Sequence, residues 1–206
     1  MSKGAKIAIG VVGALLLLVL LTGSWVAGTY NSLVRLDQAT QAQWAQVENV
    51  YQRRADLIPN LVNTVKGAAK FEQDTLTAVV EARSKVGQVS GEALGNIVND
   101  PAKFAKFQQA QDGLTSALSR LLVVTEKYPE LKAVQGFSDL QVQLEQTENR
   151  ISVERMRFNV AANDFNATRE SFPTNLVAGF FGSKFNDKAF FKATEGSDKP
   201  PEVKFN

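Results

Sequence analysis

At 206 residues, the chain is long enough for a membrane segment plus one domain with a sizeable core. Its 23 Lys and Arg exceed its 21 Asp and Glu only through Lys3 and Lys6. The rest is neutral and lacks the clustered basic face that nucleic-acid binding needs. With no Cys and no His, disulfides, thiolate nucleophiles, Cys-ligated zinc, iron–sulfur clusters and the commonest general base are all excluded.

From Ile7 to Val34 no residue carries a charge. The apolar heart, Ile7 through Ala27, makes about 30 Å of helix, the thickness of a bilayer core. Lys3 and Lys6 precede it and Arg35 is the first charge beyond it. The positive-inside rule therefore predicts a cytoplasmic N-terminus and an exported remainder. Trp25 and Tyr30 fall where an interfacial aromatic belt would sit. A cleaved signal peptide has a similar start, but cutting after Ala27 would put Trp25 where a small residue is required. The expectation is a retained, single-pass anchor.

Four amphipathic stretches follow. The first, about 30–55, carries Leu33, Trp44, Val47 and Tyr51 on one side. The second, about 59–86, places Leu61, Val65, Ala68, Leu76 and Val79 at helical spacing. Between them Asp56-Leu57-Ile58-Pro59 offers little loop, and a turn capped by Asp56 is favoured over a kink at Pro59. No obvious breaker separates the anchor from the first stretch, so the two can form one rod.

A Gly-, Ser- and Asn-rich break spans 87–99. Asp100-Pro101 then reads as an N-cap followed by proline at the first helical position. The third stretch repeats as Phe104, Phe107, Gln111, Leu114, Leu118, Leu121, Thr125 and Tyr128, and Tyr128-Pro129 ends it. The fourth is the most regular. Phe137, Leu140, Leu144, Thr147, Ile151, Glu154, Phe158, Ala161, Phe165, Thr168 and Phe172 alternate by three and four. Such a period packs helices at the shallow angles of bundles. The expected fold is all-α: an N-terminal transmembrane helix (residues 1–29) followed by an antiparallel four-helix bundle with long helices (30–175).

Beyond Pro173 the character changes. Phe180, Phe181, Phe185, Phe190 and Phe191 stand among Gly, Asn and Lys with no clear period. They are interaction candidates, either covering an apolar seam of the bundle or contacting another subunit or the membrane surface. The last residues, 195–206, with Pro200-Pro201, read as extended and mobile.

Nothing in the chain reads as a phosphate loop, nucleophile elbow or EF-hand. No catalytic residue, metal ligand or cofactor site is expected. Glu154, on the inward face of the fourth stretch, and the cluster Arg53, Arg54 and Asp56 read as a structural ion-pair network that sets helix register.

The segment Arg53-Arg54-Ala55-Asp56-Leu57-Ile58-Pro59-Asn60-Leu61-Val62 resembles the LemA family of bacterial membrane proteins. Further similarities are Glu81-Ala82-Arg83, Tyr128-Pro129-Glu130-Leu131-Lys132-Ala133, Thr147-Glu148-Asn149-Arg150-Ile151 and Phe172-Pro173. The resemblance covers nearly the whole chain in order. It implies an N-terminal anchor, an exported helical bundle, a bacterial envelope location and an association of some members with membrane metalloproteases. It supplies no catalytic residues. Members often carry Tyr-Asn where Phe158-Asn159 and Phe165-Asn166 stand here, which puts a hydrogen-bonded role for those positions in doubt. The functional expectation is a non-enzymatic envelope scaffold in the cytoplasmic membrane that homo-oligomerises. The alternative is an adaptor for an envelope protein partner such as a membrane protease.

Overall fold

The computed structural model describes residues 2–66, 72–93, 97–125, 127–128 and 135–192. Helix α1 spans Lys3–Lys66, α2 Gln73–Ala93, α3 Pro101–Thr125, α4 Gln135–Glu170 and α5 Thr174–Phe180. Short 3₁₀ turns lie at Ile97–Asn99 and Gly182–Phe185. The all-α bundle expected from the periodicity is the fold observed.

Anchor and first bundle helix are one rod. At 1.5 Å per residue, the 64 residues of α1 extend ~96 Å. Among the described residues it is the one helix long and apolar enough to cross a membrane, and its large apolar residues between Ile7 and Leu21 are exposed. Burial begins at Leu33 and continues through Thr40, Trp44, Val47, Tyr51, Arg54, Ile58, Leu61 and Val65. From Thr40 onward these positions alternate strictly by four and three. The sequence switches from uniform apolarity to a one-sided stripe, and the side chains switch from exposed on all sides to buried on one side against the bundle.

The favoured turn at Pro59 is not observed: α1 passes through Pro59 and ends at Lys66. A helical proline has no N–H, so the carbonyl four residues earlier, on Ala55, loses its partner. The Nε of Arg83 on α2 donates to that carbonyl at 3.1 Å. A neighbouring helix thus supplies the bond that the proline removes, and the chain need not turn. The boundaries of α2 shift accordingly, running to Ala93 through the glycines of the expected break. Residues 67–71, between α1 and α2, lie outside the described residues.

This hydrogen bond predicts a specific coupling. Arg83→Ala should cost about 1 kcal/mol, the scale of one net hydrogen bond. In a Pro59→Ala background, where the backbone N–H returns, the same change should cost almost nothing. Thermal unfolding of the four proteins of this double-mutant cycle checks the difference.

Cross-helix contacts fix the topology. The Thr40 hydroxyl donates to the Ala161 carbonyl at 3.2 Å, and Arg54 pairs with Glu148 at 2.6 Å, so α4 runs antiparallel to α1. Trp44 meets Phe104 and Phe107, and Arg54 meets Gln111 and Thr115, so α3 runs parallel to α1. Helix α2 pairs with α3 as a hairpin, Leu76, Val79 and Val86 packing with Leu114, Leu118 and Leu121. The N-cap expected at Asp100 is present: its Oδ1 accepts from the backbone N–H groups of Ala102 and Lys103 at 3.0 and 3.1 Å. Helix α3 ends at Thr125; Pro129 lies outside the described residues.

The core forms three layers along the rod. Farthest from the anchor are Ile58, Leu61, Val65, Leu114, Leu121, Phe137 and Leu144 with the α2 residues. In the middle are Trp44, Val47, Tyr51, Phe104, Phe107, Ile151, Phe158 and Phe191. Nearest the anchor are Leu33, Phe165, Ala178 and Phe185.

The last layer explains the tail. Hairpin α2–α3 is too short to cover α1 and α4 at their anchor end, and the chain after α4 folds back to do so. A cis Phe172-Pro173 peptide precedes α5. Gly182, at φ 57°, lies in the reversal beyond it, where a side chain would be strained. Residues 186–192 then run extended, and the buried positions Phe185, Lys188 and Phe191 recur every third residue. Asn186, at φ −67° and ψ 151°, has polyproline-II geometry, whose three residues per turn match that spacing. This threefold period is neither helical nor strand-like and is easily overlooked in sequence. Residues 195–206, read as a mobile end, lie outside the described residues.

Candidate functional site

The stretch 53–60 is a continuous run of about two turns of α1, so its residues divide between core and surface. Arg54 and Ile58 are buried, Leu57 is half-buried, and Arg53, Asp56, Pro59 and Asn60 are exposed. Asp56 accepts a hydrogen bond from Gln52 Nε2 at 2.8 Å. It caps no turn.

Arg54 is the hub. Its side chain is fully buried, yet it carries a permanent charge. Nη1 donates to Glu148 Oε1 at 2.6 Å and to Thr115 Oγ1 at 2.7 Å. Nη2 donates to the Gln111 side-chain oxygen and, at 3.4 Å, to the Gln111 carbonyl. The guanidinium also lies 5.1 Å from the Tyr51 ring centre. Three helices thereby share one cation. Such a centre is a costly way to add stability but a strong way to fix register, because a slipped helix strands the charge.

The Glu154 pairing expected from the sequence is corrected here. Glu154 bonds Arg157 on its own helix at 2.9 Å, and Arg54 takes Glu148 instead. The heptad rule placed Glu154 inward correctly, but partner choice depends on axial level. Antiparallel packing brings Glu148, not Glu154, level with Arg54.

A second polar cluster lies one turn nearer the anchor. Arg155 Nε donates to the Tyr51 hydroxyl at 2.5 Å, and Nη2 meets Asp112 at 3.2 Å. Burial pushes the Tyr51 phenol above its ordinary value, against the opposing pull of Arg155. Burial also works against the Arg155 charge, but Tyr51 and Asp112 outweigh it and raise the Arg155 pKa.

The interaction candidates of the tail part company. Phe185 and Phe191 are buried, Phe191 beside Trp44, Phe104 and Phe158. Phe181 and Phe190 are partly exposed, while Phe180 is almost fully exposed. Side-chain amides hold the extended segment by its backbone. Asn166 Nδ2 donates to the Lys188 carbonyl at 3.0 Å while its Oδ1 accepts from the Lys188 N–H at 2.8 Å. Asn159 does the same with Phe191, both at 2.9 Å. Gln108 brackets Lys192 at 2.9 and 3.4 Å. Two Phe-Asn pairs seven residues apart on α4 thus act twice: each Phe fills the core and each Asn grips the tail. Hydrogen bonding at those positions resides in the asparagines, which is why it does not depend on a tyrosine hydroxyl. Lys188, 2% exposed, directs its Nζ to Asp37 and to Asn99 Oδ1 and lies 4.5 Å from the Phe165 ring centre.

Two outer features complete the surface. On α4, Val153, Met156 and Val160 are exposed at i, i+3, i+7 spacing, an apolar seam facing away from the core. Between α1 and α2 lies an open cleft of about 750 Å³, lined by Glu48, Gln52, Arg83, Ser84, Gly87 and Gly91 among others. No group of three or more Asp or Glu among the described residues is placed to hold a metal ion.

Residues 43–205, most of the chain and all of the described bundle beyond the first turns of α1, match the model of the LemA family. The chain belongs to the LemA family. It is similar to "Magnetosome protein MamQ 2" of Paramagnetospirillum magneticum, 28% identical over 185 residues that cover 83% of this chain and 67% of that protein. Magnetosome protein MamQ of Magnetospirillum gryphiswaldense is 25% identical with the same coverage. Protein LemA of Metamycoplasma hominis is 26% identical over 151 residues, 73% of this chain and 64% of that one. Within the matched region of this LemA-family chain fall the Arg54 hub, the Pro59–Arg83 pair and the Asn159 and Asn166 clamps.

Proposed function

We propose that this LemA-family protein is a non-enzymatic scaffold of the bacterial cytoplasmic membrane, with its N-terminus inside and its bundle exported. Residues 1–29 attach it, residues 30–175 form the bundle, and residues 176–192 of the Phe-rich tail close the bundle. It self-associates through the outer face of α4. The observation that carries this reading is the Val153–Met156–Val160 seam, which has coiled-coil spacing but no partner helix among the described residues. The charge-free anchor flanked by Lys3 and Lys6 supports the orientation.

Because the chain contains no Cys, one introduced thiol gives an unambiguous reading. Met156→Cys in membranes should cross-link to itself with a short bis-maleimide, whereas Val123→Cys on the exposed side of α3 should not. Absence of a Met156→Cys dimer would contradict the proposal.

A second reading, an adaptor that presents its bundle to another envelope protein, is favoured by the cleft between α1 and α2. Its small-residue wall of Ser84, Gly87 and Gly91 faces Glu48 and Gln52, leaving room for a foreign segment. Under that reading, Gly87→Cys cross-links to a different polypeptide and Met156→Cys does not cross-link to itself.

A further inference from the structure

The largest exposed apolar side chains outside the anchor are at one place. Phe172, Leu176 and Phe180 are 80%, 62% and 85% exposed, four residues apart along α5 and the turn before it. The Asn175 N–H bonds the Ser171 carbonyl at 2.9 Å and the Leu176 N–H bonds the Pro173 carbonyl at 3.1 Å. Leu176 and Phe180, four residues apart within α5, share a face, and Phe172 is exposed in the turn that leads into it. The opposite face, Val177 and Ala178, is buried against the bundle, Ala178 in the layer of Leu33 and Phe165. Two-sided apolarity is unnecessary for an element that only caps a bundle. One side is packed on the bundle, and the other has no partner among the described residues.

Position identifies the partner. The Phe181 ring lies 4.6 Å from that of Tyr30, and Phe180 lies 5.3 Å from Phe181. Tyr30 is three residues beyond Ala27, the end of the apolar stretch of α1, hence about 4.5 Å further along the helix axis. The interfacial layer outside the hydrocarbon core is about 5–7 Å thick on each side. Tyr30, Phe181 and Phe180 therefore form a continuous aromatic row within that layer. Lys184 completes it: its Nζ donates to the Tyr30 hydroxyl and lies 4.6 Å from that ring centre, a basic tip over an aromatic body at headgroup level. Any surface at this height on a membrane-spanning rod is next to lipid.

We infer that the Leu176–Phe180 face of α5 is a second membrane contact, inserted into the interface of the leaflet from which α1 emerges. An in-plane amphipathic element buries its apolar side at the boundary between headgroups and acyl chains, and α5 offers such a side joined rigidly to the bundle. Two contacts, one spanning and one lying flat, fix the tilt of the bundle and its rotation about the anchor axis. A single helix cannot do that. The inference stands apart from self-association through α4, since either could fail without the other.

The test uses the full-length chain in vesicles of phosphatidylcholine and phosphatidylglycerol. Single spin labels are placed on Phe180→Cys, Leu176→Cys and, as an aqueous reference, Val123→Cys, which sits on α3 far from the anchor. Collision with dissolved oxygen, which concentrates in lipid, is compared with collision with a water-soluble nickel chelate. The labels at 176 and 180 should favour oxygen over nickel severalfold relative to the label at 123. Equal nickel access at all three positions would leave the face in water and overturn the inference. Shielding from both reagents would place a second protein surface there and overturn it as well. Unchanged far-UV helicity in each variant shows that the bundle persists, and these exposed positions place no demand on the core.

Discussion

Glu148→Ala is expected to destabilise the bundle by about 3 kcal/mol or more, while Arg54→Met costs less. The two changes delete opposite halves of one ion pair, and a simple tally of bonds would rank them the other way. Arg54 makes hydrogen bonds to three side chains and one carbonyl, whereas Glu148 makes one to Arg54. Burial decides the asymmetry. The Arg54 side chain is 1% exposed and that of Glu148 is 38% exposed. Removing Glu148 leaves a guanidinium charge with no counter-ion among the described residues, where its Nε already has no partner. Removing Arg54 leaves a carboxylate that water can reach and the buried Gln111 oxygen without its donor, a smaller penalty than an unpaired charge, and the methionine fills much of the vacated volume. Chemical unfolding in mild detergent, followed by Trp44 fluorescence in a Trp25→Phe background, measures both.

Asn159→Ala with Asn166→Ala should release the tail. Four hydrogen bonds to tail backbone disappear. At a net value of about 1 kcal/mol each, the loss approaches 4 kcal/mol. Gln108, the 2.9 Å bond from the Ala189 N–H to the Val98 carbonyl, Arg169 bound to the Phe185 carbonyl and to Asp187, and the side chains of Phe185, Lys188 and Phe191 would still hold the segment, with nothing gripping the backbone of Lys188 and Phe191 among the described residues. Local opening of that size-scale shows up first in proteolysis. Trypsin should cut at Lys188 in the double variant many times faster than in the wild type, where that lysine is 2% exposed. Trp44 emission should shift to the red as Phe191 leaves its stacked position 6.0 Å away. Alanine substitution of the exposed Asn163 on the same helix should do neither.

Much of this architecture is legible in the residues themselves. The heptads of α4 and the one-sided stripe of α1 specify which faces meet, because burial follows the period. The capping signal at Asp100-Pro101 specifies where α3 begins. What was not legible involves groups distant in sequence. Pro59 looks like a place to turn until Arg83, 24 residues later, is seen to occupy the carbonyl that the proline orphans. Glu154 and Glu148 are both plausible partners for Arg54 until the axial level of two antiparallel helices is known. The tail gives no helical or strand period because its backbone bonds are met by Asn159, Asn166 and Gln108, and its rhythm is three. A Phe-Asn pair repeated after seven residues was the available signal. The apolar face of α5 was visible only as a surplus of phenylalanines, since sequence could not say that Phe185 and Phe191 turn inward while Phe180 stays outside.

The central claim is that the bundle assembles through the outer face of α4. The most direct measurement is the mass of the full-length protein in mild detergent by light scattering, across micromolar concentrations, for the wild type and for Met156→Glu. The account predicts a discrete multimer for the wild type and a monomer for the variant, whose carboxylate would have to be desolvated at the seam. A wild type that remains monomeric throughout, or a variant that keeps the full multimer mass, would contradict it.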